Sequence, residues 1–431
     1  MAREMKDSGI PWIGEIPAHW ELNKLKTYTS MLTPMRDKPE HLDGDIPWIR
    51  IEDYDGKYIS TSKDGLGVSI GTVRDMNLKV YPVGTILCTS SCDLGKCAVV
   101  ARELVSNQRF IGIIPNQDTS SDFLYYLMLS NAERLNFLST GSIQANLSRV
   151  AFEQLYVQMP TYLEQQVIAS YLDKKCAEID AVLKRTYASI EEYKKLKQTI
   201  ITQAVTKGVR GDRPMKESGI EWIDAIPEEI KVSRLGLHYD IILGKMLCSA
   251  QVDNTYTLEP YYCAADVHFE GISDSERKMM WFSPAEKELY LVQENDLLVV
   301  EGGAGAGGCA IVVDVPIPTY IQNSIMIVRP KHSGDCRYLR YLLECYVKQG
   351  YIDVVCNKAT IPHFTKDKLA CVPYPVFSQQ EKTEIADYLD IQNSKINEII
   401  AKKEQHLLEI ERYKKSLIYE YVTGKKEVGE S

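Results

Sequence analysis

The chain is written twice. Met5-Lys-Asp-Ser-Gly-Ile-Pro-Trp-Ile-Gly-Glu-Ile-Pro17 returns 210 residues later as Met215-Lys-Glu-Ser-Gly-Ile-Glu-Trp-Ile-Asp-Ala-Ile-Pro227. Ala169-Ser-Tyr-Leu-Asp173 returns as Ala386-Asp-Tyr-Leu-Asp390, and Val205-Thr206 as Val422-Thr423, both at an offset of 217. Three blocks in one order and at nearly one spacing mean two copies of a single unit, the second with seven additional residues between its tryptophan and tyrosine blocks. Whatever this chain folds into must be built twice.

Each copy closes on a pattern that predicts a long helix. Thr161-Tyr-Leu-Glu164 and Ser378-Gln-Gln-Glu381 are capping boxes, in which hydroxyl and carboxylate satisfy N–H groups that a helix start leaves without partners. Gly208 and Gly424 supply the stops, because glycine readily takes the left-handed conformation that ends many helices. The about 45 residues between start and stop would span roughly 68 Å. Apolar residues recur in steps of three and four: Ile168, Leu172, Cys176, Ile179, Leu183, Ile190, Tyr193, Ile200 and Ala204, then Ile385, Leu389, Ile396, Ile399, Ile410, Tyr413 and Leu417. So narrow a stripe is a coiled-coil seam. The two helices are expected to cover each other. Because the first carries the chain away from the first globular part, the second must run back beside it, antiparallel. By the same repeat logic, residues 5–17 should sit just past the second helix, as 215–227 follow the first.

The globular parts, residues 20–160 and 230–377, mix short strand-like runs with helical patches near 123–138 and 338–350. Ile46-Pro-Trp-Ile-Arg-Ile-Glu-Asp53 and Glu259-Pro-Tyr-Tyr-Cys-Ala-Ala-Asp266 align as corresponding strands, and 84–100 and 296–312 align as strand, small-residue loop, strand. The expected fold class is α+β: two α+β domains related by pseudo-two-fold symmetry and joined by a pair of long antiparallel coiled-coil helices. The expected segments are 1–160, 161–212, 213–377 and 378–431. With 50 Lys and Arg against 59 Asp and Glu the net charge is −9, so any nucleic-acid surface must be a local patch on an acidic background. The apolar runs fall far short of the roughly 20 residues of a membrane span, and the opening residues lack the apolar core of a signal peptide. Eleven cysteines without a C-x-x-C pair read as free thiols in a reducing, cytoplasmic compartment.

One motif invites an enzymatic reading. Gly303-Ala-Gly-Ala-Gly-Gly308 satisfies G-x-G-x-x-G after a strand and would suit a nucleotide-dependent oxidoreductase. That fingerprint needs a helix next, whose N-terminus holds the pyrophosphate, whereas Cys309-Ala-Ile-Val-Val-Asp-Val-Pro316 reads as another strand. A β-hairpin loop is the expectation. No phosphate-binding G-x-x-x-x-G-K-[ST] run occurs, no Asn-Pro-Pro-aromatic or Asp-Pro-Pro-aromatic methyltransferase motif, and the seven histidines have no metal-ligand spacing. A purely structural coiled-coil scaffold is the other alternative, but the copies differ most in their globular parts, as two distinct ligands would require.

Trp12-Ile-Gly-Glu-Ile-Pro17, Ile46-Pro-Trp48, the Ile-Ala-x-Tyr-Leu-Asp runs at 168–173 and 385–390, and Glu411-Arg-Tyr-Lys-Lys-Ser-Leu-Ile-Tyr-Glu-Tyr-Val-Thr-Gly-Lys425 carry a resemblance. Over nearly its whole length the chain resembles the specificity subunit of type I restriction-modification enzymes. That resemblance implies two target-recognition domains, in 1–160 and 213–377, each reading one half of a bipartite DNA target. It implies long helices that set the spacing and dock two modification subunits. It also implies a non-catalytic chain with no cofactor of its own: S-adenosylmethionine, ATP and Mg belong to the modification subunits and to any motor-nuclease subunits beside them.

Reading base edges takes forked donors and acceptors on exposed loops. The candidates are Arg50, Ser90, Ser91, Lys96, Gln144, Asn146 and Arg149 in the first copy, and Lys245, Arg277, Lys278, Lys358, Thr360, His363 and Lys366 in the second. Segments 141–149 and 357–366 occupy matching places shortly before each long helix. Lys194, Lys195, Lys197, Lys414 and Lys415 belong to the wet face of the coiled coil. Trp12 and Trp222 are core anchors of the repeated segment or part of a partner dock. The repeat itself makes a prediction: a circular permutant opened near Gly211, with the old termini joined, folds and stays soluble. An insoluble permutant beside a soluble parent would count against the cyclic arrangement.

Overall fold

The computed structural model describes residues 3–34, 37–91, 94–138, 147–273, 276–332, 334–356 and 362–429. The chain divides into two compact units, Met1–Thr186 with Gln405–Ser431, and Tyr187–Glu404. No helix among the described residues is long and apolar enough to cross a membrane.

The two long helices run Tyr162–Lys207, 46 residues, and Gln379–Val422, 44 residues. The first start is capped by the full expected box, and the second, among the described residues, by its hydroxyl alone. The Glu164 N–H donates to Thr161 Oγ1 while the Thr161 N–H donates back to Glu164 Oε2, 3.1 Å. The Glu381 N–H donates to Ser378 Oγ, 3.2 Å. Gly208 and Gly424 end them at φ +75° and +71°. Crowding reinforces the left-handed backbone there: a β-carbon on Gly424 would lie 2.5 Å from the Pro17 ring.

Pairing is antiparallel within each unit. In the first, Lys414 Nζ bonds Asp180 at 2.6 Å and the Tyr421 and Tyr171 hydroxyls meet at 3.1 Å, so one number falls as the other rises. In the second, Lys197 Nζ donates to Asn397 Oδ1 at 3.0 Å and Lys403 lies 5.6 Å from the Tyr193 ring centre. Ile168, Leu172, Cys176, Ile190, Ala204, Ile385, Leu389, Ile396 and Leu417 are buried, as their spacing requires. Tyr413 and Ile399, assigned to the same stripe, are exposed, while Leu407, outside it, is buried. A straight helix drifts about 20° per heptad from a strict 3.5-residue repeat, so over about six heptads the buried stripe changes residues.

Both units repeat one sheet. In the first the strand order is Thr29–Leu32, Phe110–Pro115, Ile86–Thr89, Cys97–Val100, Tyr58–Ile59; in the second it is Tyr239–Leu243, Ile325–Pro330, Leu297–Val300, Cys309–Ile311. The expected partners 84–100 and 296–312 are thus the same hairpin. A second, three-stranded sheet sets Ile46–Ile49 parallel to Val105–Ser106, and Thr257–Tyr262 parallel to Tyr320–Ile321, again in matching places.

Ile86–Thr89 and Leu297–Val300 are buried at every position because both faces are covered. Leu297 and Val299 join the core beneath helix Arg337–Lys348, with Tyr338, Leu339, Ile385 and Leu389. Leu298 and Val300 point the other way, into a core with Tyr262 and Ile321. Ile86 and Cys88 against Leu87 divide in the same fashion around helix Ser121–Ser130. Period-two alternation thus feeds two cores instead of one core and solvent.

Each long helix is rooted where it starts. Glu21–Lys24 pairs with Tyr156–Met159, and Val232–Arg234 with Pro373–Pro375, immediately ahead of the two helices. The repeated hairpins, Met5–Asp7 with Glu15–Pro17 and Met215–Ile220 with Ile223–Pro227, lie at the opposite, closing ends. The Tyr419 hydroxyl donates to the Trp12 carbonyl, which seats residues 5–17 past the second helix as the repeat implied.

An ion pair at matching places in the two copies locks both arrangements. Arg3 Nη2 donates to Glu164 Oε1, 2.7 Å, with its guanidinium 5.1 Å from the Trp20 ring centre. Arg213 pairs with Glu381 and sits 5.8 Å from the Phe377 ring. Burial alone would raise the Glu164 pKa, but hydrogen bonds from His19, Thr161 and Trp20 overcome it and hold the carboxyl at about 2. A carboxylate held that low stabilises the fold above its ordinary value near 4.5 and loses that contribution as the pH falls through 2. Glu164→Gln is expected to lower the urea midpoint at pH 7. Its difference from the parent should close as the pH is lowered through that window, followed by tyrosine and tryptophan fluorescence.

Candidate nucleic-acid interface

One end of each central sheet gathers the loops that the sequence singled out. In the first unit Ile86–Thr89 finishes there and Phe110–Pro115 begins. The Ser90 N–H donates to the Arg109 carbonyl, and the Ser90 carbonyl accepts from the Leu147 N–H, both at 2.8 Å. The hairpin loop 90–96 is therefore stitched to the turn at 107–109 and to the chain just after residue 146. The Asn107 N–H donates to the Ile49 carbonyl, 3.3 Å, which brings Arg50 beside that turn. The loop packs closely enough at Gly95 that a β-carbon would lie 2.3 Å from Ala132 Cβ.

The second unit repeats the stitching. The Glu301 N–H donates to the Ser324 carbonyl at 2.8 Å, the counterpart of Ser90 and Arg109. Glu301 also accepts from the Phe364 N–H at 2.6 Å, and the Gly303 N–H donates to the Pro362 carbonyl at 3.1 Å. Lys245 joins the same edge through its backbone, accepting from the Asn323 N–H at 2.8 Å. The Arg277 guanidinium lies 4.3 Å from the ring centre of Tyr262, whose carbonyl accepts the Gln322 N–H at 3.1 Å.

Five of the sequence candidates thus meet at one sheet end per unit: Arg50 and Ser90 in one, Lys245, Arg277 and His363 in the other. Ser91 and Lys96 lie on the hairpin loop itself, Ser91 half-buried and Lys96 exposed. Arg149 is exposed at the head of helix Arg149–Glu153 and bonds Glu153 at 2.6 Å. Lys278 opens strand Lys278–Phe282 and Lys366 opens helix Lys366–Ala370, both exposed. Gln144, Asn146, Lys358 and Thr360 lie outside the described residues.

Electrostatics separates these cations. Arg50 is paired with Asp64, whose hydrogen bond raises its pKa, and lies 3.9 Å from buried Asp53. Lys245 is buried, bonded to Glu286 and set over the Tyr256 and Phe282 rings. Burial would raise Glu286, but Lys245 and Ser283 outweigh it and keep the carboxyl below the ordinary range. These two cations already have carboxylate partners. Lys278 and Lys366 make no ion pair among the described residues.

The glycine loop is the expected hairpin: Leu297–Val300 and Cys309–Ile311 are antiparallel neighbours. Gly303 and Gly307 have φ +86° and +82°, and a β-carbon on Gly307 would come within 2.9 Å of Ile352 and Val347. Turn geometry and close packing account for these glycines.

The turns at 107–109 and 322–324 escaped the sequence reading. Their residues, Asn107, Gln108, Arg109 and Gln322, Asn323, Ser324, share no identity between the copies at matched positions, so the repeat did not align them. A cluster of forked amides just ahead of an apolar strand was the available signal.

The role of Lys245 can be checked directly. Lys245→Met strands the Glu286 carboxylate and is expected to cost about 1–3 kcal/mol, whereas exposed Lys278→Ala should stay within about 0.5 kcal/mol of the parent. Urea unfolding of both variants decides it.

A family model described as the type I restriction modification DNA specificity domain matches residues 30–192 and again 227–409. The type I restriction enzyme MjaIX specificity subunit of Methanocaldococcus jannaschii is 34% identical over 166 residues, 37% of this chain and 38% of that relative's own length. The putative MjaX specificity subunit of the same organism is 23% identical over 96% of this chain and 95% of its own. Among solved structures, one described as the basis of complex assembly and conformational transition of the type I R-M system superimposes with a TM-score of 0.73 at 17% identity. It covers 95% of this chain and 99% of that one. The HsdS subunit of Thermoanaerobacter tengcongensis gives a TM-score of 0.52 at 17% identity, over 95% and 98%.

Proposed function

The chain belongs to the type I restriction modification DNA specificity family, and from that premise we propose that it is the non-catalytic specificity subunit of an adenine-methylating enzyme. Each unit reads one half of a two-part duplex sequence. The observation that carries this reading is the pair of matched sheet ends: one pattern of backbone hydrogen bonds, stitched twice, presenting different side chains. Equal scaffolds with unequal chemistry are what two distinct half-sites require.

At each end the exposed cations contact phosphates and fix register, while loop side chains address bases. Lys96, Arg149, Lys278 and Lys366 take the first role; Ser91, Gln144, Asn146, Lys358, Thr360, Arg277 and His363 are candidates for the second. Ser90 acts through its backbone, and Arg50 and Lys245 brace the edge. The recognition domains extend over 1–160 and 213–377, with the conserved helices at 161–212 and 378–431. The chain works in the cytoplasm beside two modification subunits that bring S-adenosylmethionine, and motor-nuclease subunits that would bring ATP and Mg. Exposed apolar residues on the long helices, Leu163, Val167, Leu196, Ile391 and Leu408, suit such a dock.

The helices act as a ruler, since both half-sites must face the same side of a duplex whose turn repeats near 34–36 Å. Coexpression with the modification subunit in a methylation-free host, followed by sequencing for N6-methyladenine, tests the reading. A two-part motif with a fixed gap is expected. A continuous motif would mean that only one unit reads, and no methylation despite a stable complex would overturn the assignment. Adding one heptad to each helix, about 10.5 Å, should lengthen the gap by about three base pairs of 3.4 Å and leave both half-sites unchanged. A change of half-site sequence would sink the ruler.

A further inference from the structure

We propose that the short turn entering the middle strand of each sheet, 107–109 in one unit and 322–324 in the other, is the principal base-reading element. The assignment rests on the reading that each unit recognises one half-site. It goes beyond that reading by naming which element discriminates, and which base each one selects.

Position is the first argument. Each turn lies in the middle of the gathered edge, held by the same two backbone bonds. One comes from the hairpin loop: Ser90 N–H to the Arg109 carbonyl, and Glu301 N–H to the Ser324 carbonyl. The other goes to the neighbouring sheet: Asn107 N–H to the Ile49 carbonyl, and Gln322 N–H to the Tyr262 carbonyl. The backbone is fixed from both sides, so whatever its side chains meet is met at a defined place. Preorganisation of that kind is what discrimination between bases needs.

Chemistry is the second. Arg offers a bidentate fork to guanine O6 and N7, and Asn or Gln a matching pair to adenine N6 and N7. Gln108 and Arg109 are exposed, and neither side chain has a hydrogen-bond or ion-pair partner among the described residues. Asn107 Oδ1 accepts the Arg109 N–H at 3.0 Å, which shapes the turn from within. In the second unit the side chains form a relay. Gln322 Nε2 donates to Asn323 Oδ1 at 2.9 Å, Ser324 Oγ donates to Gln322 Oε1 at 2.6 Å, and Ser324 Oγ accepts from the Ala264 N–H at 3.0 Å. That relay orients both amides and leaves the Asn323 amide group with donors unused among the described residues.

Contrast is the third. The neighbouring strong cations, Arg50 and Lys245, are bound to carboxylates, whereas the Gln108 and Arg109 side chains and the Asn323 amide nitrogen have no partner among the described residues. The first turn therefore selects guanine through Arg109, and the second selects adenine through Asn323. The two copies differ in chemistry just where their backbones agree.

The test uses the full chain with its modification subunit and the methylation map described above, for Arg109→Ala, Arg109→Lys and Asn323→Ala. Melting temperatures of the three complexes are measured alongside. Each Arg109 variant should relax one guanine in one half-site, lowering preference there by roughly 10- to 100-fold, with the other half and the gap intact. Asn323→Ala should relax one adenine in the other half. Arg109→Lys keeps the charge and loses the fork, so a lysine variant with parental preference would show a phosphate contact and overturn the proposal. Unchanged motifs in all variants, or uniform loss at every position with parental melting, would overturn it too. Should Arg109→Ala fail to fold, Arg109→Lys and exposed Gln108→Ala carry the same decision. A parent that directs no two-part methylation sinks the half-site reading itself, and the turn assignment with it.

Discussion

Everything in this molecule depends on a stripe too narrow for one helix to keep dry alone. A helix of 46 residues with apolar groups every three or four positions gains little from its own propensity and much from burial against a second helix of the same design. The chain supplies that second helix by duplication. Within each unit the stripe then merges with the globular core: Ile201, Ala204 and Val205 pack in one cluster with Ile385, Leu389 and the helix over the sheet. Seam and recognition fold are thus one hydrophobic object per unit. A sheet rooted on such a helix has no independent hinge at its base.

The roots show how that rigidity is secured. A two-stranded ladder closes each globular part just before the long helix starts, and a hydroxyl caps the N–H of the glutamate three residues on, whose carboxylate completes a reciprocal box in the first helix. The same carboxylate accepts an arginine from the opposite end of the repeat: Arg3 on Glu164, Arg213 on Glu381. Glu164 therefore serves the helix start, the helix dipole and the repeated hairpin together, and Glu381 the dipole and the hairpin. Because the helix stop is a crowded, left-handed glycine, chain direction changes at a defined residue at both ends. Length is then set by counting residues, which is the property a spacer needs.

Local chemistry was the legible part of the sequence. Capping boxes, glycine stops and the two aligned hairpins depend on few neighbours, and residues such as Thr161, Ser378, Gly208 and Gly424 stand where their types imply. The seam was legible to first order. Tyr413, Ile399 and Leu407 depart from it because helical drift is cumulative and no single window reveals it. Arg3 and Arg213 keep the repeat offset, yet an arginine pairing across some 160 residues carries no local signature. The candidate site was legible as a set of loops rather than as a surface. That residues 90–96 lie beside 147, and 303 beside 362, follows from sheet order, which short strands joined by long connections do not disclose. Arg50 and Lys245 were legible as cations on the right loops, but their carboxylate partners, Asp64 and Glu286, were not.

The two copies also explain why recognition resists sequence reading more than architecture does. Where the backbone must turn tightly or approach closely, the residue type is dictated and can be inferred, as with Gly95 against Ala132 and Gly307 against Ile352. Where the backbone is held by its own N–H and C=O groups, those bonds do not dictate the residue type. Ser90 and Glu301 make the same bond to the next loop through the same atoms, and so do Arg109 and Ser324. A serine can stand opposite a glutamate, and an arginine opposite a serine, without disturbing the sheet. This fold therefore eases two demands that conflict in most binding sites: the bonds that join the edge loops are made by main chain, which leaves residue type at those positions open to differ between the copies.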